Sequence, residues 1–209
     1  MIDHVYCLTL PEKPHREAAA RVHFVDAGLP DVKFVPGING EKFGLKTIFP
    51  YAVDDPSGNF FCGHHETGIF LSHYMLWIHV MLNGETALIM EDDCKWLPGW
   101  KENLEQDLND VPEDFDFLFV GSCACKNLPK TKVKGRVWFA KYPACFHAYV
   151  ITPQGARIMV EDMRKMFGPV DLMTFVKDPR GGSIPPFARM KVYTILPRLA
   201  EQFNTNIPE

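Results

Sequence analysis

No stretch of these 209 residues is apolar for long enough to span a bilayer. The polar start Met1-Ile2-Asp3-His4 is not that of a signal peptide. Positive charge is not in excess either. A net charge of −4 gives the whole chain no attraction for nucleic acid or an anionic membrane, although a local basic cleft is still open to it. The six cysteines are scattered: Cys123 and Cys125 stand too close for a Cys-x-x-Cys pair, and no second pair has zinc-finger spacing. Buried, reduced thiols are therefore expected, in a protein that is cytoplasmic and at most peripheral to a membrane. Also missing are a Walker loop, a Gly-x-Gly-x-x-Gly fingerprint, a Gly-x-Ser-x-Gly elbow and a His-Glu-x-x-His helix, which argues against the commoner nucleotide, hydrolase and zinc-protease classes. No internal repeat, low-complexity tract or linker divides the chain. Residues 1–209 read as a single domain.

What is present is an alternation of strand and helix signals on a composition, 46% hydrophobic and 23% charged, that can build a sizeable core. Strands are predicted at 4–10, 32–35, 86–90, 115–120, 146–151 and 192–196. Helices are predicted from Pro14 towards Gly28, and at 66–82, 100–108 and 153–166. Residues 39–63 have little periodicity and read as a long loop, as does the lysine-rich run 126–134; both are expected to flank a functional site. The βα alternation favours a three-layer α/β fold.

The acidic triplet Glu91-Asp92-Asp93 directly follows the apolar run Ala87-Leu88-Ile89-Met90, which reads as a buried strand. Its carboxylates emerge at the carboxyl end of that strand, the edge of an open α/β sheet where ligands bind. Clustered carboxylates repel one another and resist desolvation, so they are usually found with a cation. Mg²⁺ or Mn²⁺ held by one or two of them, with water and diphosphate oxygens completing the shell, fits. A solvated acidic turn before Pro98-Gly99 is the alternative.

Three other features align with the triplet. Leu10 to Arg16 joins the first strand to the first helix, where backbone amides favour anions. Arg16 there is either a fork for a phosphate or nucleobase, or an ordinary surface arginine. Ser72 and His73 lie on the helix before the triplet strand, and His73 is either a site residue or a satisfied core histidine. Asp171, after Pro169-Val170, is either a cleft base or a helix cap.

Taken in order, the run Glu66-Thr67-Gly68-Ile69-Phe70-Leu71-Ser72-His73, then Trp77, then Ala87 to Asp93 resembles glycosyltransferase family 25. That family holds lipopolysaccharide and lipooligosaccharide glycosyltransferases and collagen galactosyltransferases. Leu10 to Arg16, Gly37-Ile38-Asn39-Gly40, His147-Ala148-Tyr149, Pro169-Val170-Asp171 and the pair Pro197…Gln202 are similar to further family elements. Pro11 and Asn39 depart from the pattern by replacing acids, and no histidine follows His147 to complete a three-ligand metal site.

The resemblance implies a GT-A-type three-layer α/β/α domain with a mostly parallel, mixed central sheet. It implies a metal-dependent inverting glycosyltransferase that moves a hexose, galactose or glucose first, from a UDP-sugar to a hydroxyl of a glycan or glycoprotein. Asp93 and Glu91 become the metal ligands for Mn²⁺ or Mg²⁺. Leu10, Arg16, Asn39, Gly40, Ser72, His73, Glu91 and Asp92 become donor-binding residues, and Asp171 the catalytic base. A nucleotide-sugar-binding module without turnover and a metal-dependent phosphohydrolase remain as other classes.

Overall fold

The computed structural model describes residues 2–44, 63–123, 131–140, 143–164, 166, 168–174 and 184–202. In chain order they form β1 (His4–Thr9), α1 (Pro14–Asp26), β2 (Lys33–Pro36), α2 (His64–Asn83), β3 (Ala87–Glu91), β4 (Cys94–Trp96) and α3 (Trp100–Leu108). There follow β5 (Phe117–Gly121), β6 (Lys132–Lys134), β7 (Val137–Phe139), β8 (Ala148–Ile151), α4 (Pro153–Asp162), α5 (Val170–Met173), a 3₁₀ turn (Pro186–Ala188), β9 (Val192–Ile195) and β10 (Ala200–Gln202).

Eight strands form one sheet in the order β2-β1-β3-β8-β5-β9-β7-β6. The pairings reverse only β8 and β7, so six of the eight strands run in one direction. The expected mixed, mostly parallel sheet is observed. Its strands are apolar on both faces, and the period of two sorts them into two cores. Tyr6, Ile89, Phe117, Phe119 and Tyr149 pack with Phe70 and Trp77 of α2 and Met159 of α4. Cys7, Leu88, Met90, Leu118 and Val150 pack on the other face with Phe24 of α1 and Leu104 of α3. Helices on both faces make the expected three layers.

Local chemistry explains the main elements. Pro14 opens α1 at a position where its missing N–H costs nothing, and Gly28 leaves the helix end at φ 81°. The α2 helix starts with the Glu66 carboxylate accepting the Gly63 amide at 2.8 Å, and stops at Gly84 in the left-handed conformation. Its C-terminus leads directly into β3, whose carboxyl end carries the acidic triplet.

Four short strands depart from the sequence reading. The run 126–134 is expected as a loop; within it Lys132–Lys134 is strand β6, turned by Gly135 onto β7, while residues 126–130 lie outside the described residues. Most of the expected 39–63 loop also lies outside them. Strands β4 and β10, three residues each, pair antiparallel as a separate small sheet. Helix α4 ends at Asp162 rather than 166: Met163 and Met166 are buried, but the chain has already left helical geometry at Met163. The expectation of reduced thiols holds for Cys7 and Cys94, which are free and buried. It fails for Cys123 and Cys145, which are joined by a disulfide 22 residues apart in sequence. They leave the facing ends of the paired strands β5 and β8, a proximity that cysteine spacing alone does not reveal. Among the described residues, no helix is long and apolar enough to cross a membrane.

Candidate active site

A cleft of roughly 490 Å³ opens at the carboxyl ends of β1 and β3. All eight expected donor-binding residues line it, together with Asp93, although they come from five separate stretches of chain. Thr9, Lys13, Glu41, His65, Ile69 and Gln202 line it as well. Of these, Gln202 had the clearest signal in the sequence, as the last member of the Pro…Gln pair.

One wall of the cleft is the segment 37–40. The Gly37 amide donates to the Thr9 carbonyl at 2.7 Å, and the Ile38 amide donates to Ser72 Oγ at 2.8 Å. Ser72 in turn donates to the Gly68 carbonyl at 2.7 Å, so its hydroxyl is committed to holding this wall against α2. The approach is too close for side chains. A Cβ on Gly40 would lie 1.7 Å from the His64 carbonyl oxygen, and one on Gly68 would lie 2.4 Å from that of Ile38. The Asn39 side-chain oxygen accepts the amides of Glu41 and Lys42, fixing the turn that follows.

The three acids have separate partners. Asp92 accepts from Thr9 Oγ1 at 3.2 Å and pairs with Arg16 Nη2. Arg16 Nη2 also lies 3.5 Å from Asp93 Oδ2. Its guanidinium therefore already balances protein carboxylates while its Nε, buried beside the cleft, has no hydrogen-bond partner among the described residues. Asp93 Oδ2 accepts from Gln202 Nε2 at 3.0 Å, a contact made possible because β10 pairs Gln202 opposite Cys94. Asp93 Oδ1 is buried and likewise has no partner among them. Burial, then the neighbouring Glu91 charge, pushes the Asp93 carboxyl up to about 6. Burial raises Asp92 as well, against the pull of Arg16.

Glu91 ends a buried hydrogen-bond relay. Trp77 Nε1 is a donor only and donates to the Tyr149 hydroxyl at 2.9 Å. The Tyr149 proton then goes to His73 Nδ1 at 2.9 Å, which assigns the remaining ring proton to Nε2, facing Glu91 Oε1 at 3.1 Å. In this arrangement every proton has an acceptor. Burial by itself raises the Glu91 carboxyl. The His73 hydrogen bond, with the charges around it, outweighs that and holds it below the ordinary range. His73 is thus buried in the core and bonded to the site at once. Tyr149→Phe removes the relay's central hydroxyl and leaves the Trp77 donor stranded. The variant is expected to lose about 1–3 kcal/mol of stability in urea denaturation; wild-type stability would mean that the relay does not operate.

Asp171 is not among the cleft-lining residues described. Its two oxygens accept the Cys145 amide at 3.0 Å and the Leu172 amide at 2.9 Å. Cys145, at φ 68°, leads into β8, and the carbonyl of His147 two residues on accepts the Glu91 amide at 3.1 Å. Asp171 therefore stands at the same sheet edge as the triplet, one strand away.

The donor set suits a small hard cation in part. An orphaned, buried carboxylate oxygen beside a second carboxylate is the environment that Mn²⁺ or Mg²⁺ relieves, and these ions need only one or two protein carboxylates when phosphates supply the rest. Among the described residues, however, the three acids do not converge as a ready-made cage; the group that does is Cys123, Cys145 and His147.

Comparison with known proteins places the chain. A "Glycosyltransferase 25 family member" of Aedes aegypti is 29% identical over 174 residues, covering 77% of this chain and 28% of its own length. The "Inactive glycosyltransferase 25 family member 3" of Homo sapiens is 26% identical over 183 residues, covering 81% of this chain and 30% of its own length. The chain thus spans less than a third of either relative. Among solved structures, an active-site mutant of LgtC aligns with a TM-score of 0.40 at 9% identity, covering 96% of this chain and 87% of that one. Mouse xyloside xylosyltransferase 1 aligns with a TM-score of 0.37 at 12% identity, covering 83% and 81% respectively. The profile of glycosyltransferase family 25 (LPS biosynthesis protein) matches residues 3–174, a span that takes in the Arg16 helix, the Ser72-His73 helix, the acidic strand end and Asp171. The chain belongs to glycosyltransferase family 25.

Proposed function

We propose that this chain carries the donor site and the catalytic centre of an inverting, metal-dependent glycosyltransferase that moves a hexose from a UDP-sugar to a hydroxyl of a glycan or glycoprotein. The observation that supports this most directly is a complementary pair of orphans in the cleft. Among the described residues, Arg16 Nε is a buried donor without an acceptor, and Asp93 Oδ1 a buried acceptor without a donor. A diphosphate accompanied by a divalent cation answers both needs, while neither group alone answers both. The first turn of α1, beside Lys13, adds a field that favours the same anion.

Asp93, with Glu91 beside it, would hold Mn²⁺ or Mg²⁺, whose chemistry is to neutralise charge on the departing diphosphate. The residues of the chain do the rest. Arg16 orients the diphosphate, and the wall from Gly37 to Gly40, held against α2, bounds the side of the cleft where the sugar nucleotide would lie. Asp171 accepts the acceptor hydroxyl's proton as its oxygen attacks the anomeric carbon from the face opposite the leaving group, which inverts the configuration. UDP-galactose and UDP-glucose are the donors favoured by the family.

Calorimetry with UDP, UDP-galactose and UDP-glucose, with and without Mn²⁺, tests the donor, and chromatography of released UDP tests turnover. Arg16→Ala is expected to weaken UDP-sugar binding by roughly 1.5–3 kcal/mol through loss of a charged hydrogen bond. Absence of UDP-sugar binding in the presence of Mn²⁺ overturns the donor assignment. Relatives named as inactive make a second reading concrete: binding without UDP release would mark a nucleotide-sugar-binding module. Phosphate release from simple phosphoesters would instead mark a phosphohydrolase.

A further inference from the structure

Next to the cleft, at the same sheet edge, lies a cluster that the donor chemistry does not use. Cys123, just past β5, and Cys145, just before β8, are disulfide-bonded with their Cα atoms 5.7 Å apart. A ring nitrogen of His147 lies within 4.8 Å of both sulfurs. The His147 ring is wholly buried. Its Nε2 faces the Ala200 carbonyl at 3.4 Å, and its Nδ1 has no hydrogen-bond partner among the described residues. A buried imidazole with an idle nitrogen is costly in a core and is what a metal ligand looks like before its metal arrives. The space for the ring is made by Gly121, where a Cβ would sit 2.4 Å from Nε2.

We propose that reduction of the Cys123–Cys145 disulfide opens a site for one Zn²⁺, held by the two thiolates and the His147 imidazole. Two sulfurs and an imidazole are a soft donor set. They select Zn²⁺ over Mn²⁺ or Mg²⁺, the ions suited to the carboxylates of the cleft. Three protein ligands leave a fourth tetrahedral position for water. The Cα separation lies within the range that bridges two cysteines, so the backbone already holds both sulfurs on one side of the ring. Cys123 is exposed, which gives reductant and metal a way in.

The chemistry balances. A dithiol reductant gives two electrons and two protons to the S–S bond and becomes its own cyclic disulfide. Zn²⁺ then displaces the two thiol protons to solvent as the thiolates bind. The disulfide and the metal complex exclude each other, so the site reports the redox state. It also touches the reaction edge: the His147 carbonyl accepts the Glu91 amide, and the Cys145 amide donates to Asp171.

The test uses the full chain in a Cys62→Ser/Cys125→Ser background, reduced with a phosphine under argon and titrated with Co²⁺. One equivalent should bind with a sulfur-to-cobalt charge-transfer band in the near ultraviolet and tetrahedral bands in the visible, and Zn²⁺ should bleach both. Co²⁺ held by the cleft carboxylates gives no sulfur band, so failure of the donor reading and failure of this one are separable. The oxidised chain should show no band. Cys123→Ser alters an exposed side chain and is expected to retain the far-ultraviolet circular dichroism of the parent while losing the band and weakening Zn²⁺ by at least roughly tenfold. A reduced chain that binds no stoichiometric metal overturns the proposal, as does an unchanged band in Cys123→Ser or an equal band in the oxidised chain.

Discussion

Asp93→Asn is expected to abolish cation-dependent turnover while making the metal-free protein more stable at neutral pH. The two effects have one cause. Asp93 is 8% exposed, and its carboxyl is raised to about 6, first by burial and then by the Glu91 charge. The folded chain therefore holds a proton on Asp93 at a pH where the unfolded chain has released it. That contribution is fully present below the ordinary carboxyl value near 3.8 and is lost as pH rises through about 6. Above it, the native state carries a charge that Gln202 and Arg16 stabilise less well than water does.

The rise from 3.8 to about 6 already includes the opposing pull of Arg16 and Gln202, so at about 1.4 kcal/mol per tenfold change in proton affinity removing that charge should be worth up to about 3 kcal/mol. Melting curves at pH 4 should nearly coincide for parent and variant and should separate in the variant's favour at pH 7.5. Adding Mn²⁺ should raise the melting temperature of the parent more than that of the variant, because the variant keeps the Glu91 charge but loses the one at position 93. UDP release should fall by roughly a hundredfold or more, the scale on which transition-state charge stabilisation is lost. Normal metal-dependent turnover in the variant would remove Asp93 from the metal site, and a variant less stable than the parent at pH 7.5 would overturn the buried-charge argument.

The second large effect is expected at Asp171. Asp171→Asn should lose transfer by about 10²–10⁴-fold, the usual contribution of a positioned base, while binding of UDP and Mn²⁺ persists. The carboxylate has spare capacity for this task. Its oxygens each accept one amide, from Cys145 and from Leu172, and two oxygens offer about four lone-pair sites. The same two hydrogen bonds define the competing role, a clip that holds the entry to β8. Asn keeps one accepting oxygen but turns an NH₂ towards the other amide, so a clip alone predicts lower stability with near-normal transfer per folded molecule. Single-turnover rates beside urea titrations separate the two. Near-normal transfer returns Asp171 to the clip.

The cleft was legible in the sequence where chemistry and periodicity coincide. The apolar run Ala87 to Met90 leaves the carboxylates of Glu91, Asp92 and Asp93 only one place to emerge, and the Ser72-His73 helix must pack beside it. The relay was not legible. Trp77 and Tyr149 are indistinguishable from core residues until the hydroxyl is seen within 3 Å of both the indole and the imidazole. Arg16 was legible as a charged residue at the entry to the first helix, but its pairing with Asp92 brings together residues 76 apart in sequence, which only the folded chain reveals. Strands β4, β6, β7 and β10 escaped because three residues cannot display a period; they are strands by virtue of their partners. The disulfide escaped for a similar reason, since Cys123 and Cys145 meet only after β5 and β8 have paired in register.

Gln202 reaching Asp93 across 109 residues has a consequence in time as well as in space. Thr9 and Arg16 leave the ribosome long before Gln202 does, yet all three meet on the acids at the end of β3. The β4–β10 pairing must close that long intervening loop before Asp93 gains its last partner, and contacts of such separation tend to form late. A nascent chain can thus build α2 and β3, and bury its core against them, while its acidic edge is still unfinished. Competence would then arrive as one of the final acts of folding, with the closing of the smaller sheet.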